Sequence, residues 1–314
     1  MMLPALKSVS FGFFLLCVAL APDAWAQEPA AEKLIARFKE ANRYLNYQGI
    51  YTYEYGGVLK AVRVTHIEHK GEEYAHWLYL NGPRQEVVRR GQWRCGSPLN
   101  NDAAPGARFS DLPIDRLQAL YDIRLRGADR AADRPMWLIH LVPRDESRYG
   151  YVLGIDQETG FLLQVLLLDE SQRVLERFQY LMIDYQVPEA RADELVALAP
   201  ASENCADPAE SASPSSRWQA TWLPPGFERV SVRHGDDGLE TLIYSDGLAV
   251  FSIFIDSATD AGLPEVQAQR GATVAQLAQV QADGNRYLVS VVGEIPIQTA
   301  QRVAGFVRRT GAPQ

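Results

Sequence analysis

Residues 46–57 of the chain read NYQGIYTYEYGG, and this stretch decides the fold of the first half of the sequence. Tyrosine stands at positions 47, 51, 53 and 55, with Gly49 in the same alternating series. A β-strand turns successive side chains to opposite faces, so the stretch predicts a strand with one tyrosine-lined face. Three interpretations of that face are open: protein core, the wall of a ligand cavity, or a partner surface. Core is favoured, because large apolar side chains usually pack inside.

The strand opens a series of strands. Strand patterns recur at 60–69, 73–80, 85–91, 136–143, 149–156, 161–169 and 174–184, with glycine-containing turns such as Gly56-Gly57 and Lys70-Gly71 between some of them. Such spacing is typical of antiparallel hairpins. Helical periodicity marks residues 28–45 and 111–125. We therefore expect a half-open barrel or strongly curved sheet of about eight antiparallel strands with helices.

One strand of this series is apolar on both faces. FLLQVLLLD (161–169) places Leu162, Leu166 and Leu168 on one side and four further apolar residues on the other. A sheet with one solvated face alternates apolar and polar residues, so both faces of this sheet are expected to be covered. A helix covers one face, and the other is a closed core or a cavity for an apolar guest. The candidate residues of a lipid cavity are Tyr51, Tyr53, Trp77, Leu166 and Leu168.

The composition changes at residues 200–216, which read PASENCADPAESASPSS and lack apolar periodicity. This is typical of an interdomain linker. Beyond it, five strand patterns and a helix at 298–309 predict a small α+β domain. The expected organisation is thus a domain at 27–199, the linker at 200–216 and a second domain at 217–314.

The second domain contains YSDGLAVFSIF (244–254), which is apolar at nearly every position. One helix covers only one face of a five-stranded sheet, so the other face needs a cover or forms an interaction site. The cover is the first domain, a second copy of the chain in a homo-oligomer, or a partner. The candidate partner-binding residues are Arg233, Tyr244, Phe251 and Phe254.

The N-terminus predicts export. Lys7, the apolar run FGFFLLCVALA (11–21) and the small residues of AWA (24–26) form a secretory signal pattern over residues 1–26. After cleavage two cysteines remain, Cys95 and Cys205, which either form a disulfide in an oxidising compartment or stay apart as two thiols. We expect a soluble exported product, because no later segment has the length of a transmembrane helix.

Composition and motifs exclude several functions. The formal net charge of −8 argues against nonspecific nucleic-acid binding. The sequence contains no G-x-S-x-G elbow, no phosphate-binding loop and no H-E-x-x-H motif, so no catalytic residue, metal ligand set or cofactor site is predicted.

Six stretches of the chain resemble the MucB/RseB family, the periplasmic negative regulators of the sigma-E envelope stress response. They are LNYQGIYTYEY (45–55), GPRQEVVRRG (82–91), the long block 143–180, WLPPGFERV (222–230), YSDGLAVFSIFID (244–256) and VVGEIPIQTAQRVAGFV (291–307). They occur in the family's order across the mature chain. The sequence departs from the family at Ile50 and Tyr51, where a smaller residue and phenylalanine are expected, and the Cys95 loop does not align.

The resemblance implies both a fold and a role. The large domain would resemble the lipoprotein carriers LolA and LolB, a half-open β-barrel with a hydrophobic cavity. The protein would bind the periplasmic segment of a MucA/RseA-like anti-sigma factor and shield it from the site-1 protease. A lipid or lipopolysaccharide fragment would release it. The alternative is a periplasmic lipid or lipoprotein carrier of the LolA/LolB kind, against which the linker and second domain argue. A hydrolase is disfavoured by the missing motifs.

The boundary between the domains gives a direct test. A segment without apolar periodicity has little to bury, so limited proteolysis is expected to cut first within residues 200–216 and to leave two folded fragments. Early cleavage inside 143–180 would contradict this domain organisation.

Overall fold

The computed structural model describes residues 30–91, 109, 113–199, 215–235, 238–257 and 266–310. Within these ranges the strands form antiparallel sheets of nine, six and two strands. The predicted class, mainly β with an open large sheet and a small α+β unit, is confirmed. The signal sequence predicted for 1–26, nearly all of the predicted linker, and both Cys95 and Cys205 lie outside the described residues.

The nine-stranded sheet, with the helices that precede and follow its strands, is called the large domain. Its strands are β1 (Tyr47–Tyr55), β2 (Val58–His69), β3 (Glu72–Tyr79), β4 (Glu86–Arg90), β5 (Tyr121–Ala131), β6 (Arg134–Pro143), β7 (Gly150–Asp156), β8 (Leu162–Leu168) and β9 (Val174–Asp184). Their order across the sheet is β4-β3-β2-β1-β9-β8-β7-β6-β5. Strands β1 to β4 therefore follow one another toward one edge of the sheet. Strand β5 forms the opposite edge, and β6 to β9 follow one another inward from it until β9 pairs with β1.

Helices of the described residues that accompany this sheet include α1 (Ala31–Tyr44), α2 (Ile114–Leu120) and α3 (Glu189–Leu198). Leu34, Ile35 and Phe38 recur at helical spacing on α1 and are buried in the large-domain core. The helix predicted for 111–125 is wrong beyond Leu120, where β5 begins. Asp122 and Arg124 alternate with apolar neighbours there, a two-residue period that favours a strand. The sequence analysis also missed α3.

The six-stranded sheet, with its helix and the two-stranded sheet, is called the small domain. Its strands are β10 (Trp218–Ala220), β11 (Glu228–His234), β12 (Glu240–Ser245), β13 (Val250–Ser257), β14 (Val266–Arg270), β15 (Thr273–Ala282), β16 (Asn285–Gly293) and β17 (Val307–Arg309). The order of the larger sheet is β11-β12-β13-β16-β15-β14, and β10 pairs with β17. The edge strand β14 was not predicted, because its residues are exposed and mostly polar.

The helix α4 (Ile297–Gly305) packs on β15 and β16 and covers one face of this sheet. It ends four residues earlier than predicted, because Val307 to Arg309 pair with β10 instead. Ala300, Val303 and Ala304 are buried against sheet residues including Ile253 and Val291. The small domain therefore has a core of its own between its sheet and α4.

A buried arginine joins the two domains. Arg148, just before β7, has a fully buried side chain whose Nη1 donates to Asp246 in the β12–β13 turn. Its Nη2 donates to Asp145 at 3.1 Å and to the carbonyl of Pro225. The aromatic rings of Tyr121 and Phe227, one from each domain, lie within about 6 Å of the guanidinium.

Other contacts surround this ion pair. The Tyr149 hydroxyl donates to the Ile295 carbonyl at 3.0 Å, and Leu248 and Ala272 of the small domain are buried in the large-domain core cluster. Burial raises the pKa of Asp246, while N–H donors from Ala249 and Leu248 and the charge of Arg148 oppose that shift. Turns at one end of the small-domain sheet thus dock against the large domain. We call this contact the domain junction.

The junction can be weakened at one atom pair. Asp246→Asn keeps the oxygen that accepts from the Leu248 and Ala249 N–H groups but removes the charge opposite Arg148. Because Arg148 then stays buried with less compensation, the free energy of unfolding should fall by about 2–5 kcal/mol. Urea denaturation and the thermal midpoint measure this loss.

The matched control is the exposed ion pair of Arg130 and Asp133, whose side chains are 66% and 89% exposed. Arg130→Gln should cost no more than about 1 kcal/mol, since solvent screens that pair. Equal, small losses in both variants would contradict the account of the junction.

Candidate functional site

The tyrosine face of β1 points into the large domain. Tyr51 and Tyr53 are buried, and their cross-strand partners on β9 are Tyr180 and Phe178. The ring centroids of Tyr51 and Phe178 lie 4.9 Å apart, and those of Tyr51 and Tyr180 lie 5.7 Å apart. A Cβ at Gly49 would lie 3.2 Å from the Tyr180 ring and 2.5 Å from the Met182 carbonyl oxygen, so glycine makes room there. Buried residues therefore alternate with less buried ones along the middle of β1, as the sequence predicted.

These rings are packed in the core. Trp77 belongs to the same buried cluster, which α1 completes with Leu34 and Phe38. Burial raises the pKa of Tyr47, whose ring also packs there, to about 12. The Tyr47 phenol consequently remains neutral at physiological pH.

A small void lies among the described residues of this interior. It has a volume of about 20 Å³ and is lined by Tyr53, Phe109, Tyr151, Val165, Leu167, Glu176 and Phe178. Such a volume holds about one water molecule, whereas pre-formed small-molecule pockets measure roughly 300–1,000 Å³. An acyl chain could therefore enter this void only if the side chains that line it moved.

Two of the five predicted cavity residues need correction. Val165 pairs with Phe178, which pairs with Tyr53, so Val165 faces the interior. Leu166 instead pairs with Arg177, which is exposed, and therefore lies on the opposite face of the sheet. Leu168 shares the parity of Leu166. The sequence pattern predicted two apolar faces of β8, but the face of Leu166 and Leu168 was wrongly expected to line the interior. Val165 and Leu167 line it instead.

Between the domains lies an open cleft of about 570 Å³. The β1–β2 turn, the start of β9 and the β14–β15 turn line it, through residues that include Glu54, Gly56, Arg173, Glu176, Arg177 and Gln269. Charged groups of both signs therefore face the space beside the domain junction.

The face of the small-domain sheet opposite α4 is called the outer face. Arg233 pairs with Thr241, and Thr241 pairs with Phe254, so these three side chains form one row across it. The row continues through Ser290 to Leu277. A neighbouring row contains Ile243, Ser252, Val292 and Ala275. Phe254 and Leu277 are only half-buried, and Arg233 is exposed.

The four predicted partner-binding residues thus divide between two faces. Arg233 and Phe254 share the outer face. Tyr244 and Phe251 pair with each other on the α4 side, stack at 5.2 Å, and are 3% and 1% exposed. Their placement on a partner surface is corrected: both are core residues of the small domain. Val292 and Leu277 replace them on the outer face, as the pairing of β13, β15 and β16 requires.

The described residues contain no group of three or more His, Cys, Asp or Glu side chains arranged to hold a metal ion. Among the helices of these residues, none combines the length and apolarity needed to cross a membrane.

Comparison with known proteins identifies the family. The model of the MucB/RseB N-terminal domain matches residues 30–199, and that of the MucB/RseB C-terminal domain matches residues 212–308. The chain belongs to the MucB/RseB family. The family resemblance predicted from the sequence is therefore confirmed.

Two relatives show the extent of the similarity. The sigma factor AlgU regulatory protein MucB of Pseudomonas aeruginosa is 36% identical over 299 residues, covering 92% of this chain and 94% of that protein. The sigma-E factor regulatory protein RseB of Escherichia coli K12 is 28% identical over 297 residues, covering 89% and 91%. Members of the MucB/RseB family thus match this chain along nearly its whole length.

Two solved structures of this family have the same fold. MucB in complex with MucA(peri) matches with a TM-score of 0.74 at 34% identity, covering 90% of this chain and 100% of that one. MucB alone matches with a TM-score of 0.61 at 33% identity, covering 89% and 98%. At nearly equal identity, the present chain has the higher TM-score with MucB in the complex.

Proposed function

We propose that this chain is a periplasmic regulatory protein that binds the periplasmic segment of a MucA/RseA-like anti-sigma factor. The observation that carries the proposal is the outer face of the small domain, a partly exposed apolar surface with Arg233 at its edge. MucB, which shares the fold, has been crystallised with MucA(peri), and the present chain has a higher TM-score with that structure than with MucB alone.

The chemistry of the outer face suits an amphipathic polypeptide. Phe254 and Leu277 offer apolar area, and partly exposed apolar surface gains free energy when a partner covers it. Arg233 adds a cation that can steer an acidic segment and fix its orientation. Binding of this kind needs no chemistry on the partner, in agreement with the absence of catalytic motifs from the sequence.

The consequence proposed for the bound segment is protection. A protease needs an extended, accessible stretch of chain, and a segment held on a sheet face is withheld from it. We infer that the complex restrains site-1 proteolysis of the anti-sigma factor and so the sigma-E-type stress response.

The proposed release signal is a lipid or lipopolysaccharide fragment. A ligand can release the partner only if it favours a state that binds the partner less well. The described residues around Tyr53 leave only a small void, so an acyl chain that entered there would rearrange the packing of Tyr53 and its neighbours. That rearrangement would supply the differential affinity.

Charge reversal at the edge of the outer face tests partner binding. Arg233→Glu should weaken capture of the anti-sigma periplasmic segment by about three- to tenfold at low salt, with less difference at high salt because salt screens exposed charges. Titration calorimetry at two salt concentrations measures the effect.

Arg229→Glu is the matched control, since Arg229 is an exposed arginine of the same strand that pairs with Tyr244 on the other face. Both variants should keep the thermal midpoint of the parent chain. Equal affinities of all three proteins at low salt would remove Arg233 from the partner site.

A filled void tests lipid uptake. Val165→Phe places extra volume in the 20 Å³ void and should weaken binding of lauric acid, read as a shift in the emission of Trp77 and Trp137. Leu166→Phe makes the same kind of change on the opposite face and should leave the affinity unaltered. If saturating lauric acid leaves the tryptophan emission of the parent chain unchanged, lipid uptake is contradicted. Lipid binding without capture of the anti-sigma segment would favour a carrier instead.

A further inference from the structure

A second contact of the domain junction involves a buried carboxylate, Glu176 on β9. Its Oε2 accepts a hydrogen bond from the Tyr53 hydroxyl of β1, and its Oε1 accepts from the Ala272 N–H of the small domain at 3.0 Å. Glu176 is 9% exposed. One side chain therefore bonds both a ring of the large-domain interior and the backbone of the small domain.

The turns around this contact are closely fitted. Gly271 has a φ of +59°, and a Cβ there would lie 2.9 Å from Glu176 Oε1 and 3.3 Å from the Gly56 nitrogen. A Cβ at Gly56 would meet Arg270 at 2.4 Å. The β1–β2 turn and the β14–β15 turn thus approach each other as only glycines permit, and Glu176 lies beneath them.

On its other side Glu176 belongs to the interior. Tyr53 and Glu176 both line the small void, together with Phe178 and Val165. Glu176 also lines the open cleft between the domains. A buried carboxylate needs its hydrogen-bond donors, and one that loses a donor is better solvated in the cleft than in the interior.

We propose that Glu176 couples the packing of the large-domain interior to the position of the small domain. When the Tyr53 ring is displaced, Glu176 loses a donor and turns toward the cleft. The Ala272 N–H then loses its acceptor, and the β14–β15 turn is released from the large domain. The part of the proposal in which an amphiphile displaces Tyr53 rests on the function proposed above, whereas the coupling of Tyr53 to Ala272 does not.

The test is hydrogen exchange at the Ala272 amide in the full chain. Tyr53→Phe keeps the ring and removes the hydroxyl, and it should speed exchange at Ala272 by about three- to tenfold through local opening. Tyr180→Phe is the matched control: Tyr180 is also a buried ring on this face, and its hydroxyl pairs with Tyr47. It should leave exchange at Ala272 unchanged.

A double-mutant cycle establishes that the effect runs through Glu176. Glu176→Ala alone should speed exchange at Ala272 at least as much as Tyr53→Phe does, and Tyr53→Phe should add nothing in that background. Unchanged Ala272 exchange in Tyr53→Phe, or equal effects of Tyr53→Phe with and without Glu176, would overturn the coupling.

Lauric acid separates this proposal from the proposed function. In the parent chain it should speed exchange at Ala272 and reduce capture of the anti-sigma segment, and Glu176→Ala should abolish the dependence of capture on lauric acid. If the segment is never captured, the proposed function fails, while the cycle still decides the coupling. If lauric acid instead binds and lowers capture of the anti-sigma segment equally in the parent chain and in Glu176→Ala, that result would overturn only the role of Glu176 in release.

Discussion

The ion pair of Arg148 and Asp246 is the constraint on which the arrangement of the two domains depends. Both side chains are fully buried, and they come from different domains. A charge removed from water must stay paired and hydrogen-bonded, so the small domain has few alternative positions that keep Arg148 satisfied. The junction therefore favours discrete arrangements of the domains over continuous flexing.

This constraint determines what each domain can offer a partner or ligand. In the small domain, α4 buries one sheet face and the junction holds one end of the sheet, while the outer face stays exposed in part, at Arg233, Phe254 and Leu277. In the part of the large domain that the structure describes, aromatic rings pack in the interior beside a void the size of one water molecule. Glu176 bonds both to this interior and to the backbone of Ala272. A change in the packing of Tyr53 can thus affect the domain junction through the two hydrogen bonds of Glu176.

Patterns of two and 3.6 residues along the sequence predicted much of the fold, because local periodicity reflects which side of an element is buried. The alternation of β1, the helix α1 and the class of both domains follow from it. Periodicity does not say which of two apolar faces points inward. Leu166 was therefore assigned to the interior in place of Val165, and Tyr244 and Phe251 to a partner surface in place of Val292 and Leu277. Strands with little apolar content, such as β14, leave no such pattern.

The junction lay beyond sequence reasoning for a different reason. Arg148 and Asp246 are 98 residues apart, and Glu176 and Ala272 are 96 apart. In the sequence Asp246 is an ordinary turn residue of SDG, and Arg148 is one arginine among many. Only the packing of two domains makes them partners, so no local signal could have identified them.

We propose that the outer face of the small domain holds the anti-sigma segment, and site-specific photocrosslinking can test this. A benzophenone side chain is placed in turn at Arg233, Leu277 and, as a control on the large domain, the exposed Leu59. Adducts with the periplasmic segment are expected from positions 233 and 277 and none from position 59. A segment that binds the chain but forms adducts from position 59 and not from the outer face would contradict it.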